Sequence, residues 1–336
     1  MNNKTKEMLD LIINNQKKLK KKMFWEMAPN DTAIMGALIQ ASKGVETDVE
    51  RYVQCRKILK KNIDIFSAFR GVARPMIISK MTVADNPEEY LNGCLTVYKK
   101  LRSIHKLVAS PFLVMAAMTI YESGGVERAD ELIEKLENLY KSLKKKHPLL
   151  ITDDDRGYLA MLVASGMDLD AMSESIENTY QVCKSISINK DGINSLAQVL
   201  ALSSKDANEN AEEAVTLLKS LKDSGHPISK YYGLGAVGAL VLLNKTVDEK
   251  VELVAEISDY LNEFGAFKWY RMNKRRRTVY ACLIAVMANA EGIAENVAGN
   301  ISNTLTMTIV EEIIMTLVII MVVSSTHSYS SSGSNA

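Results

Sequence analysis

Seven runs of small and apolar residues recur along this chain at nearly even steps, and that recurrence constrains its folding more than any other feature. Leu38, Met76, Met118, Leu162, Leu200, Leu240 and Ile284 sit at the centres of the runs, separated by 38, 42, 44, 38, 40 and 44 residues. Each run is followed by a short polar break and a second, more polar stretch. Tyr98, Tyr140, Tyr180, Leu218 and Tyr260 lie 22, 22, 18, 18 and 20 residues after the centres of their own units. Leu132, Leu136, Leu139 and Leu143 fall at helical spacing, so the second stretch of each unit reads as a helix with one buried stripe. The first stretch, rich in small residues, reads as a helix that neighbours can approach on several sides. Such a pair cannot bury its own faces alone; stacking on the next pair completes the core.

These patterns predict an all-α chain, an α-solenoid-like stack of roughly seven helix pairs of about forty residues. Pairs are expected to end near residues 105, 147, 187, 226 and 267. The punctuation agrees. Asp153, Asp154 and Asp155 precede the helix at Tyr158, Asp168 and Asp170 precede Met172, and Asp206 with Asn208 precedes Ala211. Such side chains accept hydrogen bonds from the free amides of a helix start. Lys144, Lys145 and Lys146 stand where a helix end favours cations, and His147-Pro148 stops the helix. No alternating run of strand length recurs. Residues 1–323 are expected to be one helical-repeat domain, with 1–27 as an N-terminal capping helix and 305–323 as a C-terminal one. The Ser-rich residues 324–336 are expected to be disordered.

Composition narrows the class of function. Among 336 residues, 41 Lys and Arg balance 40 Asp and Glu, a net charge of +1. A dedicated nucleic-acid binder carries a basic excess, so that role is not expected. Cys55, Cys94, Cys183 and Cys282 form no close pair, which speaks against zinc and against a disulfide framework. They read as buried reduced thiols in a cytoplasmic protein. The N-terminus carries no signal-peptide pattern. Leu305–Val323 contains Glu311 and Glu312, and its uninterrupted apolar part is only Ile313–Val323, too short to span a bilayer.

The stretch His147-Pro148-Leu149-Leu150, Asp153-Asp154-Asp155 and Tyr158-Leu159-Ala160-Met161-Leu162-Val163-Ala164, running on to Tyr180, resembles a bacterial family called domain of unknown function 4003. The likeness in layout extends from residue 3 to about residue 300. It implies a cytoplasmic bacterial protein and carries over no activity and no catalytic residues.

Few residues suggest chemistry. Gly233, Gly235 and Gly238 spell a dinucleotide fingerprint, but the residues before them read as the start of a repeat helix rather than a strand. They are read as packing glycines, and no cofactor and no metal is expected. Asp154 and Asp155 are weak candidates for a cation and read better as a helix cap. His147 and His226, each before a proline, are weak ligand-surface candidates; the simpler reading has each capping a helix end by bonding free carbonyls. The densest feature is Trp269, Tyr270, Arg271, Lys274, Arg275, Arg276 and Arg277, in which cations alternate with aromatics. It is a candidate for an exposed anionic-partner site; the simpler readings are ion pairing to acidic residues such as Glu256, Asp259 and Glu263, or plain solvation. The chain is therefore read as a non-enzymatic binding or scaffold protein with a protein or peptide partner. The alternatives are an enzyme with a pocket between repeat helices, or an anion- or nucleic-acid-binding protein using residues 268–277.

Overall fold

The computed structural model of the chain describes residues 1–23, 29–64, 67–105, 110–148, 150–184, 190–230, 233–290 and 293. The expected capping helix at 305–323 and the tail at 324–336 lie outside these residues.

Among the described residues there are fourteen α-helices and no strand. They are α1 (Asn3–Lys20), α2 (Pro29–Ser42), α3 (Val49–Asn62), α4 (Arg74–Val83), α5 (Pro87–His105), α6 (Pro111–Gly124) and α7 (Ala129–Lys146). The second half contains α8 (Arg156–Ala164), α9 (Leu169–Cys183), α10 (Lys190–Leu200), α11 (Ala207–Asp223), α12 (Leu234–Val241), α13 (Val247–Asn262) and α14 (Lys274–Ala288). The ends of α5, α7, α9, α11 and α13 fall within a few residues of the predicted pair ends.

Capping side chains set most of the helix starts. Asn2, Asp48, Ser110, Asp168, Asp206, Thr246 and Asn273 each accept a backbone amide two or three residues on. Asp170 and Asn208 lie within the first turns that Asp168 and Asp206 cap. Asp153–Asp155 form a single 3₁₀ turn that runs into α8.

The two kinds of helix bury different faces. In α7 the stripe Leu132, Ile133, Leu136, Leu139 and Leu143 is buried while its lysines stay outside. In α14 every residue from Arg277 to Ala288 is buried. The even-numbered helices thus form an inner layer, α6 packing on α8, α10 on α12 and α12 on α14. The odd-numbered helices follow one another outside, α7 against α9, α9 against α11 and α11 against α13. Each fully buried Leu or Ile contributes about 1.5–3 kcal/mol, so the inner helices carry most of the stabilisation.

The succession then returns to its own beginning. Helix α1 packs on α2 and also on α14. The Met1 amine pairs with Glu256, Tyr260 donates to Asp10 at 2.6 Å, and Asn30 donates to the Ala266 carbonyl at 2.9 Å. An open stack of repeats keeps its first and last helices apart; here residues some 240 positions apart share a seam.

Candidate functional site

The link between α13 and α14 carries the basic aromatic segment, and the structure divides it. Trp269 is 75% exposed and Tyr270 57%, the two rings meeting edge-on with centroids 5.8 Å apart. The Arg271 guanidinium lies 5.8 Å from the Tyr270 ring centre, and Lys274 and Arg275 face solvent. Arg276 and Arg277 do not belong to this surface, contrary to the expectation from sequence. Arg276 turns inward to Asp31 of α2 at 3.0 Å, not to Glu256, Asp259 or Glu263. Arg277 is only 4% exposed and donates to the Phe267 carbonyl at 3.2 Å. Successive helix residues point about 100° apart at 3.6 residues per turn, so three consecutive arginines cannot share one face.

The exposed part of the segment borders a cavity of about 520 Å³ where the end of α1 meets the α13–α14 link. Its walls are mostly apolar, from Ile13, Phe264, Ala266 and Phe267, with the buried amide of Gln16 among them; Lys17, Lys20, Lys21 and Arg271 add a cationic rim. The Lys17 ammonium sits 5.7 Å from the centre of the Phe264 ring. Lys20 reaches only the neutral Asn30 side chain, at 3.4 Å. Among the described residues none of these four cations forms an ion pair, whereas Lys18, one position along, pairs with Glu46 at 2.7 Å. Partial burial, reinforced by the nearby Arg271 guanidinium, lowers the pKa of Lys20. Like charges gathered over apolar walls with no counter-charge favour an anion in that place.

The lysines at the end of α1 lie close together in the sequence, but no spacing rule places them beside a loop some 250 residues later. Only the closure of the helix succession does so.

The remaining candidates have local roles. His147 bonds the Glu177 carboxylate, and His226 bonds Asp259 at 3.2 Å. The free carbonyls at those helix ends are taken by backbone amides instead, His147 N to Leu143 O at 2.8 Å and His226 N to Leu221 O at 2.7 Å. The histidine rings tie neighbouring outer helices together, because a carboxylate is a stronger partner than a carbonyl. Asp155 accepts from Thr152 N at 2.7 Å, Asn194 at 2.6 Å and Gln198 at 2.8 Å, closing a capping box; Asp154 stays exposed. Gly233 is the N-cap of α12, and Gly235 and Gly238 lie inside that helix, Gly238 against Val199 and Leu196. All four cysteines are free, buried thiols. No group of three metal-ligating side chains occurs among the described residues, and no helix among them is long and apolar enough to cross a membrane.

A larger concavity, about 1030 Å³, opens between α5 and the α6–α7 turn. Its buried charge is consumed internally. Lys80, 3% exposed, donates to Glu122 at 2.8 Å, and Tyr90 donates to the other oxygen of that carboxylate at 2.5 Å. Among the described residues the buried charge of this concavity is paired, whereas the four cations at the seam are not.

A family model described as protein of unknown function (DUF4003) matches residues 15–323. No curated protein and no solved structure matches the chain.

Proposed function

We propose, for a chain that belongs to the family described as protein of unknown function (DUF4003), that it works by binding, as a non-enzymatic scaffold of stacked helix pairs whose partner-facing surface is the seam. One observation carries this reading: Lys17, Lys20, Lys21 and Arg271 converge, with no carboxylate partner among the described residues, on a mostly apolar cavity beside the exposed Trp269. Uncompensated cations repel one another and weaken the fold, so such a cluster makes physical sense where an anionic partner completes it. Exposed tryptophan and arginine are the residue types that dominate binding energy at interfaces. The partner in this reading is a protein or peptide, and the setting is the cytoplasm, whose reducing conditions suit four unpaired thiols.

The test is titration of the intact protein with a fluorescent polyglutamate peptide. Binding should weaken steadily between 50 and 300 mM salt, since exposed charge pairs are screened within a Debye length of about 10 Å at 0.1 M. Charge reversal at Lys17, Lys21 and Arg271 together should abolish it, whereas Lys222→Glu, exposed on α11, should leave it intact. A wild-type protein that ignores the peptide at low salt sinks the reading.

A further inference from the structure

Resting on that reading of the seam, we propose that the cavity is an anchor pocket for one apolar side chain of an acidic peptide segment in a protein partner. The cavity's chemistry is layered. Its floor and walls are Ile13, Phe264, Ala266 and Phe267, with Phe267 1% and Ala266 6% exposed, while the cationic groups stand only at the rim. A simple anion would gain from the cations and from the Gln16 amide, and nothing from the apolar groups that make up most of the wall. A ligand that fills the site must present an apolar group flanked by negative charge. The volume of about 520 Å³ lies within the ordinary range of about 300–1,000 Å³ for specific pockets, enough for an aromatic or branched side chain with its adjoining backbone.

The same geometry disfavours the other anionic polymers. A bilayer is a plane and meets convex patches, whereas these cations surround a concavity. A single nucleic-acid strand needs open ring faces in a row with cations along a track. Here Trp269 and Tyr270 meet edge-on, Lys17 lies over Phe264 and Arg271 lies near Tyr270. Acidic segments with a hydrophobic anchor match both layers.

Gly265 supplies the means of testing the pocket apart from the charge. It lines the cavity, and a Cβ built on it meets no atom within 4 Å. Gly265→Leu therefore adds an apolar side chain at the lining of the cavity without displacing a neighbour and without removing any cation. Two labelled decapeptides of equal negative charge, one with a central phenylalanine and one with alanine there, are titrated into the wild type, Gly265→Leu and the Lys17/Lys21/Arg271 charge-reversal variant. A thermal melt checks that both variants remain folded.

The expected result is at least about tenfold tighter binding of the phenylalanine peptide by the wild type, about 1.4 kcal/mol. Gly265→Leu should erase that difference and retain the weak, salt-sensitive binding of both peptides, while charge reversal removes both. Equal affinity for the two peptides, lost on charge reversal, overturns the anchor pocket and leaves the binding surface standing. Absence of any binding by the wild type overturns both. Tighter binding to phosphatidylserine vesicles or to a single-stranded oligonucleotide than to the phenylalanine peptide, sensitive to Gly265→Leu, overturns the peptide assignment.

Discussion

Tyr280 on α14 donates its hydroxyl to Asp31 on α2 at 3.0 Å, across 249 residues of chain. Arg276, one turn earlier on α14, brings its guanidinium to the same carboxylate at 3.0 Å. The contact joins the second helix of the chain to the fourteenth. Tyr280 is fully buried, and Asp31 and Arg276 have only 13% and 15% of their side chains exposed. Burial raises the pKa of Asp31, while Arg276 and Tyr280 pull it back toward the ionised form.

Removing Asp31 should therefore open the seam. Asp31→Ala leaves a buried hydroxyl and a largely buried guanidinium without their carboxylate. Each orphaned buried donor costs about 1–3 kcal/mol, more when it is charged. The urea midpoint of Asp31→Ala should fall by an amount equivalent to at least about 2 kcal/mol, and Tyr280→Phe should show about 1 kcal/mol. A change in Asp31→Ala below about 0.5 kcal/mol, the range of ordinary surface substitutions, would mean that the ends are not joined in solution.

What sequence made legible was local. Asp168 and Asp206 start their helices, and Lys144–Lys146 end α7. These devices act within four residues, so a linear pattern contains them. The seam is different in kind. Nothing near Asp31 announces Arg276, and the run Arg275-Arg276-Arg277 looked like one patch because a linear string hides the rotation of a helix. The same blindness applies to His147 and His226, whose partners Glu177 and Asp259 come from the next outer helix rather than from their own.

The three arginines consequently predict three different phenotypes. Arg275 is exposed, so Arg275→Ala should change stability by less than about 0.5 kcal/mol. Arg276→Ala should lose part of the seam. Arg277→Ala should cost about 1–3 kcal/mol, because the Phe267 carbonyl loses its donor and the packing of a buried stem goes with it. Chemical denaturation of the single variants gives the order directly. Equal, negligible effects at all three positions would restore the run to the surface and contradict its division between solvent and interior.

A pH effect is expected from Lys250 on α13, whose ammonium is fully buried against Glu213 of α11 and donates to the Val241 carbonyl at 3.2 Å. Burial lowers its pKa; the Glu213 carboxylate works in the opposite direction. Glu213→Gln removes that support, so the native state of the variant should give up the proton more readily still. Between that lowered value and about 10.4, the value for an unfolded lysine, the unfolded chain holds a proton that the native state does not. Stability then rises with pH across this window, since it increases wherever the unfolded state binds more protons. Glu213→Gln should be about 3–5 kcal/mol less stable than wild type at neutral pH, as expected when a buried pair loses one partner, and should recover part of that loss by pH 10. The double variant Lys250→Met/Glu213→Gln buries no charge here and should lie close to wild type at neutral pH. Urea midpoints at pH 7, 8.5 and 10, taken as differences from the double variant, cancel the titration of tyrosines and exposed lysines. A Glu213→Gln protein that matches wild type at pH 7, or loses stability relative to the double variant as pH rises, would show that Lys250 is not held as a buried charge.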